Sequence, residues 1–314
     1  MGRKEEFLLA LKSESSGEKL PLWELHFHLW DKYSTEKFIS GEAFSKLTLK
    51  EQDYHVKLNA EILACVGEKI GFGGVSIPDS PWACHYTLPF EMRVKLIKEL
   101  KILKPDFAIV AGGTGVISMP ASSDSYLDFC YRLFDEPEEI DKYCKELYEK
   151  WLNDVEELCE AGVEVCYIAA DVADNRATFF NREQLDRWYF PYLKMSAEHL
   201  EKLGIISVLH TDGNISNVLN DIKNSGIYSL QAIDPVAGMD IKEVKRELKN
   251  KVSLCGNLDC GLMLTGTAEE VYHAAKCLIN ICREGGGFIL GNSNAVAYET
   301  PVENYNAFLK AWRE

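Results

Sequence analysis

The chain has 314 residues, 46% hydrophobic and 26% charged, with ten cysteines and a formal net charge of −15. The apolar content is enough for a large core and excludes a disordered chain. The acidic balance argues against nucleic acid and anionic membrane surfaces as partners, because like charges repel.

Residues 1–16 are charged and at most amphipathic, and read as a helical extension without a secretory core. Short apolar runs then alternate with segments of helical period. The first run, 21–28, is followed by 36–67, which has room for two helices, and by a second run, 70–77. Residues 92–103 place apolar side chains at helical spacing, and 106–111 is the third run. The helix 138–161 opens in an acidic stretch, which suits the positive end of its dipole. Runs 163–171, 205–210 and 227–233 follow, with helices 182–203 and 240–249 among them. Run 252–258 precedes the helix 271–282, which a capping box from Thr267 to Glu270 opens. Run 287–290 is the eighth, and Thr300-Pro301-Val302-Glu303 reads as a second capping box.

Eight runs with the length and content of doubly buried strands, spaced by helices and without a linker, predict an α/β protein. The expected fold is one domain over 1–314, a (β/α)8 barrel. An open doubly wound sheet is the competitor, but no Gly-x-Gly-x-x-Gly turn follows an early strand. No apolar run approaches the ~20 residues that cross a bilayer. With no Cys-x-x-Cys pair, and with Cys65, Cys166, Cys255 and Cys277 inside apolar runs, the thiols read as reduced and the protein as cytoplasmic.

Barrel chemistry sits where strands end and loops begin, and polar residues concentrate there. Glu24, Asp171, His210 and Asp212 are read as catalytic. Trp23, His26, Asp174, Asn175, Asn214, Gln231, Asn257, Asn292 and Asn294 are read as substrate-binding. Burying so many ionisable groups in one place is costly unless they bind something or share protons. His210 and Asp212, two apart on a strand, face one side. They are suited to ligate a metal together, or Asp212 to orient His210 for proton transfer. Trp23, Phe27, Trp30 and Tyr298 are candidates to hold an aryl ring. Asp79 ends the second run, and His85 has no assigned role.

Four stretches carry a family resemblance: LHTDGNISNVLNDI (209–222), SLQAIDPVAGMDIKEVKREL (229–248), LCGNLDCGLMLTGTAEEV (254–271) and GGGFILGNSNAVAYETPVENYNA (285–307). In them the chain resembles the uroporphyrinogen decarboxylase superfamily, which implies a TIM barrel. True decarboxylases of that group carry an arginine-rich stretch after the first strand to grip carboxylates. Here WELHFHLWDKYS (23–34) contains no arginine. The zinc-dependent methyltransferase branch carries His-x-Cys on strand five and a Cys after strand eight. This chain keeps His210, with Asp212 and Asn294 in place of the two cysteines. The resemblance therefore implies a methyltransferase that moves a methyl group between a methyl ether or methylamine and a corrinoid (cobalamin) on a partner protein. Zinc is a candidate cofactor whose usual cysteine ligands are absent. The alternative is a decarboxylase of porphyrin biosynthesis, and a barrel that only binds a ligand is a third reading.

Overall fold

The computed structural model describes residues 2–15, 17–78, 86–120, 122–249 and 251–314. Asp79 and His85 lie outside the described residues. Seven parallel strands form one sheet: β1 (Gly74–Ser76), β2 (Ala108–Gly113), β3 (Val165–Ala169), β4 (Ile206–Thr211), β5 (Ser229–Ala232), β6 (Ser253–Leu258) and β7 (Phe288–Asn292). Their order in the sheet is their order in the chain, and every neighbouring pair is parallel. A doubly wound sheet would reverse direction partway, so that alternative is excluded.

The first predicted strand is the exception. Residues 21–28 make only isolated parallel bridges, Leu22 with Leu290 and Phe27 with Val296. The sheet is thus a curled seven-stranded one, not the closed eight-stranded ladder expected. Segment 21–28 nevertheless lies between its two edges. Leu290 donates to the Pro21 carbonyl at 2.8 Å, Trp23 donates to Leu290 at 3.0 Å, and Gly73 donates to Leu22 at 3.0 Å. Beyond Trp23, side chains take the positions of a ladder. The Ser76 hydroxyl donates to the Glu24 carbonyl at 2.9 Å, and the Glu24 carboxyl accepts from the Asn292 amide at 2.9 Å. Alternation also breaks, since Leu25 packs in the inner core while its neighbour His26 lies edge-on to Tyr167, another member of that core.

The inner face of the sheet is filled first by apolar residues. Val110, Val165, Tyr167, Val208 and Ile289 join Trp23 and Leu25 in one core cluster. The helix Arg3–Leu11 adds Phe7, Ala10 and Leu11 to the same cluster. Its nine residues are too few for a stable isolated helix, so burial of this face holds it. Gly73 and Gly74 permit the contact, because a Cβ on Gly74 would sit 2.5 Å from the Phe7 ring. The outer layer is a larger core between sheet and helices.

Most predicted helices are present, with instructive shifts. The second run loses its start because residue 70 ends the helix Leu49–Ile70, which stops at left-handed Gly71. The expected helix 182–203 is interrupted by a π turn, Leu185–Tyr189, just before Pro191, which has no N–H to give. The helix Ser123–Asp135 is not among the predicted elements. It buries Phe129 and Leu133 but leaves Leu127, Tyr131 and Phe134 exposed, so its apolar side chains are spread over more than the buried face.

The capping box at Thr267 forms, and opens the helix Ala268–Cys282. The one expected at Thr300 does not, since Pro301 is the N-cap of Val302–Arg313 and no side chain bonds there. Thr267→Ala is accordingly expected to lower stability by about 1 kcal/mol in urea denaturation. Among the described residues no helix is long and apolar enough to cross a membrane, and the nine described cysteines are free thiols.

Candidate active site

The ends of β3, β4, β5 and β7 bring distant residues together. His210 lies near the end of β4, pairing in register with Ala169 and Gln231 on the flanking strands. Its Nε2 is 3.8 Å from Asp171 Oδ1 and 3.9 Å from Asp212 Oδ2. Among the described residues this trio is the one group of His, Cys, Asp or Glu side chains with ligand atoms within 4.8 Å of one another. Its tips are fastened together. The Asp212 amide donates to Asp171 Oδ1 at 3.1 Å, the Val172 amide to Thr211 Oγ1 at 3.1 Å, and the Asn214 amide to the Asp174 carbonyl at 2.7 Å. Gly213, at φ +86°, allows this approach, because a Cβ there would lie 2.5 Å from the Ala173 carbonyl oxygen.

Two amides brace the trio from behind. Gln231 donates its Nε2 to the carbonyls of Asn292 (3.3 Å) and Ser293 (3.2 Å), which fixes the amide's orientation. Its Oε1 therefore faces His210 Nδ1, with which it makes a close hydrogen bond. A carbonyl oxygen only accepts, so Nδ1 carries the proton. With Nδ1 engaged in this way, His210 turns Nε2 to the two carboxylates' side of the site, the arrangement a metal ligand needs. Asn294 Nδ2 donates to Asp212 Oδ2 in the same way.

In metal-free protein at neutral pH, ¹⁵N correlation spectra should show His210 protonated on Nδ1. Gln231→Leu should yield a mixture of tautomers. A wild-type spectrum with Nδ1 unprotonated would contradict this assignment.

Asp212 is pushed up to about 6, first by burial and then by the nearby Asp171 and Asp234 charges, against the lowering by His210 and Asn294. His26 is pushed down to about 3, first by burial and then by His210 and His28, so it is neutral at physiological pH. It stacks on His28 at 6.2 Å and meets Tyr167 edge-on at 5.8 Å.

Glu24 does not join the trio. Its carboxyl accepts from Asn292 N and Nδ2 (2.9 and 3.0 Å) and from the Tyr305 hydroxyl (3.2 Å), a residue of the helix packed outside the sheet. Burial raises it to about 8 against those three donors, so it is mainly a neutral acid at pH 7. Among the described residues it is linked to the trio through the main chain of Asn292, whose carbonyl receives Gln231.

Other predicted binding residues hold the scaffold. Trp23 is buried and donates to Ser76 Oγ at 2.8 Å. Asp174 caps Arg176 and Ala177, Asn214 ties Ala237 and Ser216, and Asn175 is exposed. Asn257 donates to the Ile233 carbonyl at 2.8 Å. It thereby steadies Ala232 and Ile233, two non-glycine residues held at φ +101° and +48°. Phe27 and Trp30 pack against each other at 4.9 Å in the core and cannot hold an aryl substrate, while Tyr298 lies under Lys32.

Tyr305, Ser293 and Cys260 were not among the predicted site residues. Cys260 is half-buried beside Ser293 and near enough to Asp259, Asp212 and Asp234 to feel their charges, and burial pushes its thiol up. Its place directly after a strand tip, in Asn257-Leu258-Asp259-Cys260, was the available signal.

Comparison with known proteins places the chain in context. The sequence profile of the family described as Uroporphyrinogen decarboxylase (URO-D) matches residues 95–314. A methylated-thiol–coenzyme M methyltransferase of Methanosarcina mazei is 35% identical over 109 residues, 34% of this chain and 27% of that protein. A methylcobamide:CoM methyltransferase, MtbA, of Methanosarcina acetivorans is 28% identical over 123 residues, 39% of this chain and 34% of that protein. These matches span about a third of the curated methyltransferases' lengths. Proteins named uroporphyrinogen decarboxylase match as well, one over 49% of its length. Among solved structures, a methyltransferase from Methanosarcina mazei superposes with a TM-score of 0.73 at 19% identity, covering 100% of this chain and 98% of that one, which is a likeness of fold.

Proposed function

The chain belongs to the uroporphyrinogen decarboxylase family, and within it we propose that it is a methyltransferase acting between a small molecule and a corrinoid carried on a partner protein. The small molecule is of the methyl ether or methylamine type. Segment 21–28 is taken as the eighth member that completes a TIM barrel. The observation that carries the reading is the Asp171–His210–Asp212 centre, an acidic site with one aimed imidazole nitrogen. A cradle for a polycarboxylate would need the opposite charge, and residues 23–34 supply no arginine. Relatives named as methyltransferases support the same choice.

The trio fits a divalent ion such as zinc. His210 Nε2, one oxygen of Asp171 and one of Asp212 would hold it, with Gln231 and Asn294 as the outer partners that orient ligands. Bound there, the ion would supply Lewis-acid polarisation of the heteroatom that bears the methyl group. The chain's own residues do the rest. His210 and Asp171 set where the ion, and with it that heteroatom, would sit at the tips of β3 and β4. Where no ion is bound, Asp212, raised toward neutral pH, is suited to supply the proton that a leaving oxygen or nitrogen requires. His26, being neutral, adds no competing positive charge.

Purified protein incubated with Co(I) cobalamin and a panel of methyl ethers and methylated amines should give the absorbance of methylcobalamin with at least one of them. The reading is overturned if none does so and if methylcobalamin is not demethylated by any of the corresponding alcohols or amines.

A further inference from the structure

A cavity of about 330 Å³ opens at the other end of the sheet, beside the residues that lead into β6 and β7. Its floor is apolar, formed by Val252, Leu254 and Ile281. Lys242, Lys245, Arg246 and Lys249, from the helix Ile241–Leu248 and its end, also line it. In a chain of net charge −15 this is an unusual concentration of cations. Among the described residues none of the four is in an ion pair, although most other close Lys and Arg contacts in the protein go to carboxylates. Glu284 is the one carboxylate in the lining.

Lys245 is the most informative of them. It is half-buried, and its ammonium is pinned by the carbonyls of Cys282 (2.6 Å) and Gly286 (2.8 Å), not by a counter-ion. Burial lowers its affinity for the proton, against the raising effect of Cys282 and Glu284. The opposite wall is Gly285-Gly286-Gly287, all at positive φ, which places main chain instead of side chains against the space. Unneutralised cations around a low-dielectric concavity focus a positive potential into it. The volume lies in the range of small-molecule sites.

We propose that this cavity binds a small organic anion, a phosphate or carboxylate head on an apolar body. The head would meet Lys242, Arg246 and Lys249, and the body would cover Val252, Leu254 and Ile281. The proposal does not depend on the methyl-transfer reading, since the cavity shares no residue with the Asp171–His210–Asp212 centre.

The test is calorimetric titration of the full chain, at fixed ionic strength, with phenyl phosphate, benzoate, inorganic phosphate and benzyl alcohol. Phenyl phosphate or benzoate should bind saturably, tenfold or more tightly than inorganic phosphate, and benzyl alcohol should not bind measurably. The triple variant Lys242→Gln, Arg246→Gln, Lys249→Gln alters only exposed side chains and should fold normally by circular dichroism. It should lose tenfold or more in affinity. The proposal is overturned if neither aryl anion saturates the wild type, or if the triple variant binds them as well as the wild type does.

Discussion

His210→Ala should lower the methyl-transfer rate about 10³-fold, within the range a positioned acid–base or electrophilic group contributes. His210 is the hinge of the centre, touching Gln231 on one nitrogen and facing both carboxylates with the other. Asp171→Asn and Asp212→Asn should each cost about 10²-fold, since each leaves one oxygen in place. Groups that act as a unit are not additive, so His210→Ala combined with Asp212→Asn should be little worse than His210→Ala alone. Circular dichroism and the urea midpoint separate this from misfolding. A His210→Ala rate within fivefold of wild type would contradict the assignment, as would a double variant showing the product of the two single losses.

Glu24 should govern stability and its pH dependence instead of the chemistry. Glu24→Ala removes the acceptor from Asn292 N–H, Asn292 Nδ2 and the Tyr305 hydroxyl in a place where water does not reach, and is expected to cost about 3 kcal/mol. The carboxyl's folded value of about 8 lies above its ordinary 4.5. The folded protein therefore keeps a proton that the unfolded chain has already lost at pH 6 or 7. The contribution of this group is full below about 4.5 and falls as pH rises to about 8, by a few kcal/mol in all. Glu24→Gln, which carries no charge in either state, should flatten this fall. Urea denaturation at pH 5.5, 7 and 8.5 reads both effects. A wild type whose loss across that range matches the Gln variant's would show that Glu24 is not held neutral by burial.

Much of the fold was legible because a doubly buried parallel strand must be apolar throughout. β2 to β7 fall within or close to their predicted runs for that reason. Segment 21–28 carries Glu24, His26 and His28 among its apolar residues, and from Glu24 its links to β1 and β7 run through the Ser76 hydroxyl and its own Glu24 carboxyl, side-chain bonds that no run of hydrophobicity encodes. The trio was also legible, since strand tips in a barrel converge and the His-x-Asp spacing fixes a common side.

Glu24, read from the sequence as part of the mouth, lies elsewhere. With Trp23 and Leu25 facing the inner core, strand alternation puts Glu24 on the helix side, where Tyr305 meets it. Gln231 was harder. Its part in orienting His210 rests on carbonyls 61 and 62 residues away in the chain, and only the folded backbone supplies them.

Whether the tips of β3 and β4 form one coordinating centre is tested most directly by titrating metal-free protein with zinc in a calorimeter. One equivalent should bind per wild-type chain, with binding abolished by His210→Ala and weakened ten- to a hundredfold by Gln231→Leu, the loss typical of removing an outer partner. An absence of saturable binding, or a wild-type affinity retained by His210→Ala, would contradict the centre proposed for this protein.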